Sequence, residues 1–170
     1  IDEIRQKLGN DYNYIVADCQ SIPFKNNYFD TIVANHMLFY LKDLKQGLTE
    51  ITRVLKNNGT FYCTTYSKYH MQEISELAQN FDSRISLSDD PLPERFGLEN
   101  GKDILKSYFN YVELKKYEDY LLITEAQPLI DYILSCHGNQ NEYLGNRLKE
   151  FKIYIEDLIK ESQGIKITKD

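Results

Sequence analysis

Residues 16–59, VADCQSIPFKNNYFDTIVANHMLFYLKDLKQGLTEITRVLKNNG, decide the fold of this chain. An apolar run ends at Asp18 and is followed by an Ile-Pro-Phe turn at residues 22–24, here called the IPF turn. Pro23 fixes its own φ and favours an extended conformation for the residue before it. A second apolar run at 29–34 and an amphipathic segment that begins after Asp43 complete the stretch. This order predicts a strand, a turn, a second strand and a helix.

The details of this stretch predict an α/β sheet. The run at 29–34 is apolar at successive positions, which is typical of a strand covered on both faces. Asp43 is the predicted N-cap of the helix, with Gln46 at the reciprocal capping-box position, and Asn-Asn-Gly at 57–59 is the predicted helix end. Further strands are predicted at 14–17 and 60–65. Strands that alternate with helices favour mostly parallel pairing, and ligands then bind beyond the carboxyl ends of the strands.

Periodicity and turn residues predict the rest of the chain. Ile1, Ile4 and Leu8 predict a helix that ends before Gly9, and residues 83–101, which include Pro91, lack a clear period and predict a loop or lid. The remaining predictions are helices at 71–81 and 101–109, two adjacent strands or a hairpin at 111–118 and 120–124, a helix at 129–136 with Pro128 in its first turn, an amphipathic stripe over 144–159 and a strand at 165–168. One domain over residues 1–170 is the simplest organisation for this length.

Composition excludes several classes of function. The net charge of −6 argues against a nucleic-acid partner, because phosphate binding depends on clustered Lys and Arg. No apolar run approaches the roughly 18 residues of a membrane span, so no membrane partner is expected. The three cysteines lie far apart without metal-ligand spacing, which predicts reduced thiols, a cytoplasmic protein and no metal. The 14 tyrosines and the lack of tryptophan are common in AT-rich bacterial genomes.

Together, these motifs resemble the middle of a class I S-adenosylmethionine-dependent methyltransferase of the small-molecule type. The resemblance rests on Asp18 with the IPF turn, on Phe29-Asp30, and on Arg-Val-Leu-Lys at 53–56, here called the RVLK motif, with Gly59 after it. It implies a Rossmann-like sheet with flanking helices. It also implies an enzyme that uses S-adenosylmethionine and transfers its methyl group to a small-molecule acceptor.

The resemblance implies roles for residues at the strand ends. Asp18 is expected to accept a hydrogen bond from the adenine amino group, and the backbone N–H of Cys19 to face a ring nitrogen, which matches the donor and acceptor on that edge of adenine. The alternative for Asp18 is a cap for the turn that follows it. The backbone carbonyl at Asn35 is expected to meet the ammonium group of the cofactor, and His36 to line the same pocket.

Other residues near the strand ends are candidates for contact with the acceptor. His36 is a candidate general base, since the unperturbed pKa of histidine lies near 6.5, and the alternative is a hydrogen-bonded wall residue. The candidate substrate-lining residues are Met37, Tyr40, Tyr66 and His70, and the alternative for Tyr66 and His70 is a rim satisfied by other protein groups.

One family feature does not occur in the sequence, namely the Gly-x-Gly loop that holds the methionine end of the cofactor. We therefore expect the first two strands of the family sheet and part of the last to lie outside these residues. In that case the chain is an N-terminally truncated, C-terminally shortened domain that binds the cofactor poorly, or a second copy supplies the strands in an oligomer or swapped dimer. The rival functions are a non-catalytic interaction or ligand-sensing module of the same fold and a nicotinamide oxidoreductase. The oxidoreductase would need a Rossmann fingerprint before Ile1.

Overall fold

A computed structural model describes residues 2–88, 90 and 92–169 of the chain. The chain separates into two compact units, and each is described by itself below. Unit 1 comprises Ile1–Thr65 and Ile104–Asn110, and unit 2 comprises Tyr66–Asp103 and Tyr111–Asp170. The expected positions of Ile1 in a helix and of Pro91 in a loop lie outside the described residues. The prediction of one domain over residues 1–170 stays a prediction.

Unit 1 is built around two parallel strands. Its elements are α1 (Asp2–Leu8), β1 (Phe29–Asn35), a single 3-10 turn (Leu38–Tyr40), α2 (Leu44–Val54) and β2 (Leu55–Thr64). The register of β1 and β2 runs from Thr31 opposite Thr60 to Asn35 opposite Thr64. The helix predicted before Gly9 and the strand at 29–34 are therefore confirmed. Parallel pairing is confirmed for β1 and β2, whereas the strand pair of unit 2 is antiparallel.

Helix α2 begins as the sequence predicts and ends earlier. Asp43 is its N-cap, and its side chain accepts a hydrogen bond from the backbone N–H of Gln46 at 2.9 Å. The prediction that Asn-Asn-Gly at 57–59 ends the helix is wrong, because these residues lie inside β2. The physical reason is that residues before β1 bind the last carbonyls of the helix: the N–H groups of Asn27 and Tyr28 donate to Arg53 O and Val54 O at 3.0 and 2.8 Å.

Two predictions for the strands of unit 1 are wrong. Residues 14–17 form no strand, and only an isolated bridge between Asp18 and Ser21 follows them. A strand needs a neighbour for its N–H and C=O groups, and within residues 2–88, 90 and 92–169 no strand pairs with this segment. In addition, β1 is not covered on both faces, since Ala34 is buried but Val33 is 59% exposed.

Unit 2 packs helices against an antiparallel strand pair. Its helices and strands are α3 (Gln72–Phe81), α4 (Leu92–Arg95), β3 (Asp119–Ile123), α6 (Ala126–Ser135), α7 (Gln140–Leu144), a 3-10 turn (Gly145–Arg147), α8 (Leu148–Ser162) and β4 (Ile165–Lys169). Helix α5 (Gly101–Leu105) is divided between the units, since residues up to Asp103 belong to unit 2 and residues from Ile104 to unit 1. A cluster of buried apolar residues from α3, α6, α8 and β4 forms the core, with Ile133, Phe151, Ile155 and Ile167 fully buried.

The predictions for unit 2 are confirmed where the helical period is strong. The helices at 71–81 and 129–136 and the final strand are present, and Pro128 lies in the first turn of α6. The stripe over 144–159 is divided by the 3-10 turn, and the helix predicted at 101–109 ends at Leu105. The strand predicted at 111–118 does not form, because β3 pairs with β4 instead. The predicted loop at 83–101 contains the short helix α4 and a buried Phe96.

No helix in the described ranges is both long and apolar enough to cross a lipid bilayer.

Candidate functional site

The carboxyl end of β1 carries a backbone turn in an unusual conformation. His36, the first residue after β1, has a φ of 47°, in the left-handed region that L-residues other than glycine rarely occupy. Its backbone N–H donates to Thr64 O at 3.2 Å and to Thr64 Oγ1 at 3.1 Å. Asn27, Met71 and Gln163 also have a positive φ, so this conformation fixes the direction of the chain after β1 without by itself assigning a function to Asn35 or His36.

The chain that follows this turn places one candidate side chain in solvent. Leu38 and Phe39 in the 3-10 turn are buried, whereas Tyr40 is 64% exposed and Met37 is half-buried. The ring of Phe39 lies 4.7 Å from that of Tyr40, centre to centre. The side chain of Tyr40 is therefore accessible to a ligand, and that of Met37 is partly accessible.

Asp18 shapes its own turn. Its Oδ1 accepts a hydrogen bond from the backbone N–H of Gln20 at 2.8 Å, and its carbonyl oxygen accepts one from the N–H of Ser21 at 3.0 Å. The capping role that the sequence analysis gave as the alternative is therefore present. It does not exclude a ligand, because an exposed carboxylate has two oxygens with about four acceptor positions.

Gln20 connects the Asp18 turn to the start of α2. Its Oε1 accepts a hydrogen bond from the backbone N–H of Asp43 at 2.6 Å, and its carbonyl oxygen accepts one from Gln46 Nε2 at 3.3 Å. Gln46 was expected to reach back to Asp43, but Gln20 takes that place. No local pattern predicts this contact, because 23 residues separate the partners.

The thiol of Cys19 is a poor nucleophile in this setting. Burial raises the pKa of Cys19, and the negative charges of Asp18 and Glu50 raise it further. A raised pKa keeps the thiol neutral, which is consistent with a role for the backbone N–H of Cys19 rather than for its sulfur.

An ion pair on α2 holds the IPF turn. Arg53 donates to Phe24 O at 2.7 Å and to Ile22 O at 2.9 Å, and it also donates to both carboxylate oxygens of Glu50 at 2.7 Å. Glu50 in turn accepts the backbone N–H of Ile22 at 2.9 Å. These hydrogen bonds, chiefly that from Arg53, lower the pKa of Glu50 to about 2. Sequence reasoning missed Glu50, although its spacing of three residues from Arg53 on a helix was a usable signal.

Tyr66 and His70 belong to unit 2, unlike the other candidates. Their ring centres are 5.4 Å apart, and both side chains are half-buried. Next to them, the buried Ser67 donates from Oγ to Glu99 Oε1 at 2.6 Å. Burial alone would raise the pKa of Glu99, but the hydrogen bonds from Ser67 and the backbone outweigh it and the pKa is lowered. Glu99 therefore fixes the segment that carries Tyr66 and His70.

Two further features of the described part of the chain bear on the site. Within residues 2–88, 90 and 92–169, no group of three His, Cys, Asp or Glu side chains is arranged to hold a metal ion. A groove of about 400 Å³ lies between α6 and α8 in unit 2, and none of the candidate residues lines it.

Comparisons with known proteins agree with the motifs. Residues 1–63 match the family described as "Methyltransferase domain". A malonyl-[acyl-carrier protein] O-methyltransferase of Chlorobium luteolum is 25% identical over 92% of this chain and 57% of its own length. A ubiquinone/menaquinone biosynthesis C-methyltransferase of Vibrio cholerae is 30% identical over 49% of this chain and 33% of its own length. The chain thus spans between a third and three fifths of these two relatives.

A solved structure extends the likeness to the fold. The YcgJ protein of Bacillus subtilis superposes with a TM-score of 0.54 over 98% of this chain and 71% of its own, at 15% sequence identity. This match supports an α/β Rossmann-like fold. Over residues 1–63 the chain is thus similar to a methyltransferase domain, and the two relatives named above are methyltransferases, as the motifs predicted.

Proposed function

We propose that this chain carries part of the cofactor and acceptor pocket of an enzyme that transfers a methyl group from S-adenosylmethionine to a small-molecule acceptor. One observation carries the proposal: the two motifs on which the resemblance rests contact each other directly. Arg53 of the RVLK motif donates to the carbonyls of Ile22 and Phe24 in the IPF turn, from up to 31 residues away in sequence. The family motifs therefore build one local structure next to Asp18.

The residues present fit the cofactor. The exposed Asp18 carboxylate has acceptor positions for the adenine amino group, and the backbone N–H of Cys19 suits a ring nitrogen. The carbonyl of Asn35 is an acceptor for an ammonium group, and His36 contributes to the wall beside it. When bound, S-adenosylmethionine supplies the sulfonium methyl group. The protein's contribution is to position donor and acceptor and to exclude water.

We propose a small acceptor, because the net charge of −6 disfavours nucleic acid. The candidate lining residues are Met37 and Tyr40 in unit 1 and, separately, Tyr66 and His70 in unit 2. The relatives named above are, according to their names, an O-methyltransferase for malonyl-[acyl-carrier protein] and a C-methyltransferase of ubiquinone/menaquinone biosynthesis, so both oxygen and carbon acceptors occur among them. His36 is the candidate base for an acceptor that must lose a proton.

The direct test is a methyl-transfer assay on the complete reading frame that encodes this chain, with labelled S-adenosylmethionine. We expect transfer to a small-molecule extract and loss of transfer in Asp18→Asn. This variant keeps a side-chain oxygen for the N–H of Gln20 but removes the carboxylate and one of its two contacts with Gln20 Nε2, so the backbone of the turn is checked by the amide signals of Gln20 and Ser21. Transfer at the wild-type rate by Asp18→Asn would contradict the role of Asp18.

We further propose that residues 1–170 alone bind the cofactor weakly, since no Gly-x-Gly loop occurs in the sequence. Isothermal titration should then give no micromolar binding of S-adenosylmethionine. Micromolar affinity for this polypeptide alone would refute the proposal. Supply of further strands by a second copy is tested by sedimentation of the same sample, which would then show a dimer.

A non-catalytic interaction or ligand-sensing module is the second candidate function, and the lack of a Gly-x-Gly loop in residues 1–170 favours it. The same assay separates the two, since such a module would bind S-adenosylhomocysteine without methyl transfer. A cytoplasmic location is also proposed, on the three free cysteines. Fractionation of the host cell tests it.

A further inference from the structure

The peptide group between Asn35 and His36 is held by one residue of the neighbouring strand. The N–H of His36 lies 3.2 Å from Thr64 O and 3.1 Å from Thr64 Oγ1. We propose that Thr64 is a positioning residue of the cofactor site, which orients the carbonyl of Asn35 toward the ammonium group of the cofactor. This inference rests on the proposed function.

The orientation of the Asn35 carbonyl follows from the planarity of the peptide bond. In a trans peptide the N–H and the C=O of the same unit point in opposite directions, and no cis peptide occurs among the described residues. The N–H of His36 points at Thr64 on β2, so the C=O of Asn35 points away from β2. The acceptor therefore faces the side of β1 that is opposite β2.

The turn needs this restraint because His36 has a φ of 47°. The left-handed conformation is unfavourable for an L-residue, and a chain released from Thr64 would return to an extended or right-handed conformation. Such a return would rotate the peptide group and turn the Asn35 carbonyl away from its present direction.

The hydroxyl of Thr64 contacts both parts of the turn. It accepts the N–H of His36, and it donates to Asn35 Oδ1 at a longer distance of 3.5 Å. Asn35 and Thr64 are also directly opposite in the register of the two strands. One side chain thus fixes a backbone peptide and the amide side chain beside it, which a valine of the same shape would not do.

The experiment compares two ligands and two variants. S-adenosylhomocysteine carries the amino-acid end that would meet Asn35, whereas 5′-methylthioadenosine has the same adenosine part without it. Thr64→Val removes the hydroxyl at nearly constant volume, and Thr64→Ser keeps it. Binding constants come from NMR titrations of the full 170-residue chain at millimolar ligand, with circular dichroism to check the fold and Thr64→Ala as the second variant without a hydroxyl.

We expect Thr64→Val to weaken the binding of S-adenosylhomocysteine by about three- to tenfold, the effect of one hydrogen bond. The binding constant of 5′-methylthioadenosine should stay unchanged. Thr64→Ser should bind both ligands within about twofold of the wild type. The His36 amide signal should shift in Thr64→Val before any ligand is added.

Equal effects of Thr64→Val on both ligands, no effect on either, or a loss in Thr64→Ser as large as in Thr64→Val would overturn the inference while leaving the proposed function in place. If the wild type binds neither ligand at millimolar concentration, the proposed cofactor site of this chain fails, and the role of Thr64 fails with it.

Discussion

The two units differ in how their strands are covered. In unit 1 the parallel pair β1 and β2 exposes large side chains, with Val33 and Tyr62 each 59% exposed. In unit 2 the antiparallel pair β3 and β4 also exposes large side chains, with Tyr120 and Leu122 each 55% exposed, but Ile167 of β4 is fully buried in the cluster formed with the helices. Parallel sheets normally have both faces covered, whereas antiparallel pairs tolerate one open face. Exposed side chains therefore occur in both pairs, and the difference is that β4 contributes a fully buried side chain to the helical core of unit 2.

The residues expected to contact the cofactor and the residues expected to determine stability most lie in different units. The cluster of buried apolar residues lies within unit 2, where α3, α6 and α8 each contribute one apolar face. In unit 1, α2 contributes the buried side chains of Leu48, Ile51 and Val54, and the polar contacts of Glu50 and Arg53 hold the IPF turn against this helix. We therefore expect substitutions in the core of unit 2 to affect stability most, and substitutions in the polar contacts of unit 1 to act locally.

The largest effect is expected in the core of unit 2. Phe151 is fully buried, and its ring centre lies 5.0 Å from that of Phe81. Phe151→Ala should lower the free energy of unfolding by about 3–5 kcal/mol, because it removes a large apolar side chain and leaves a cavity. Urea titration followed by circular dichroism measures this change.

The matched control lies on the same helix. Ile153 of α8 is 59% exposed, so Ile153→Ala should change the free energy of unfolding by no more than about 0.5 kcal/mol. If the two variants are equally destabilised, unit 2 does not have the core described above.

A smaller and local effect is expected in unit 1. Arg53→Ala removes the hydrogen bonds to Ile22 O and Phe24 O and leaves Glu50 without its cation. The segment before β1 should then open more often, because the charge-assisted hydrogen bonds that hold it are lost. Hydrogen exchange followed by mass spectrometry should show faster exchange for residues 20–28 and unchanged exchange for α6 and α8.

The control for Arg53 is an exposed ion pair in the same unit. Lys56 Nζ lies 2.8 Å from Asp30 Oδ1, but both side chains are largely in water, so Lys56→Ala should cost at most about 1 kcal/mol. Faster exchange of residues 20–28 in Lys56→Ala as well would show that the IPF turn does not depend on Arg53 specifically.

The smallest effect is a dependence on pH. The pKa of Glu50 is lowered to about 2 in the folded chain, mainly by the hydrogen bond from Arg53, and its unfolded value is about 4.3. A lowered folded pKa stabilises the fold above the unfolded pKa, and this contribution is lost as the pH falls from about 4.3 to 2. Glu50→Gln should lose less stability than the wild type between pH 5 and pH 2.5 in urea titrations. An identical loss in both proteins would show that Glu50 does not contribute.

Sequence reasoning succeeded where a local physical signal was strong. The N-cap at Asp43, the apolar faces of α3 and α6 and the position of Pro128 follow from spacing within one or two turns. It failed where the outcome depends on a distant partner. Residues 14–17 have the apolar pattern of a strand, but no strand among the described residues pairs with them. Residues 111–118 form no strand, because β3, the strand expected beside them, pairs with β4 near the end of the chain.

The candidate site shows the same division. Asn35 and His36 were predicted from their place after a strand, and the structure places Asn35 at the end of β1 and His36 in the turn that follows. Their contact with a cofactor stays a prediction. Thr64 and Gln20 could not be predicted, because their contacts join residues 23 to 28 positions apart. The contribution of Tyr66 and His70 to acceptor binding stays a prediction.

The central claim, that unit 1 holds the adenosyl cofactor, is tested most directly by an NMR titration of the ¹⁵N-labelled chain with S-adenosylhomocysteine. We predict the largest shifts at the amides of Asp18, Cys19 and His36, with the core amides of unit 2 unmoved and no shifts from NADH. Shifts confined to unit 2, for example at Lys152 in the groove between α6 and α8, or equal shifts from NADH, would contradict the claim.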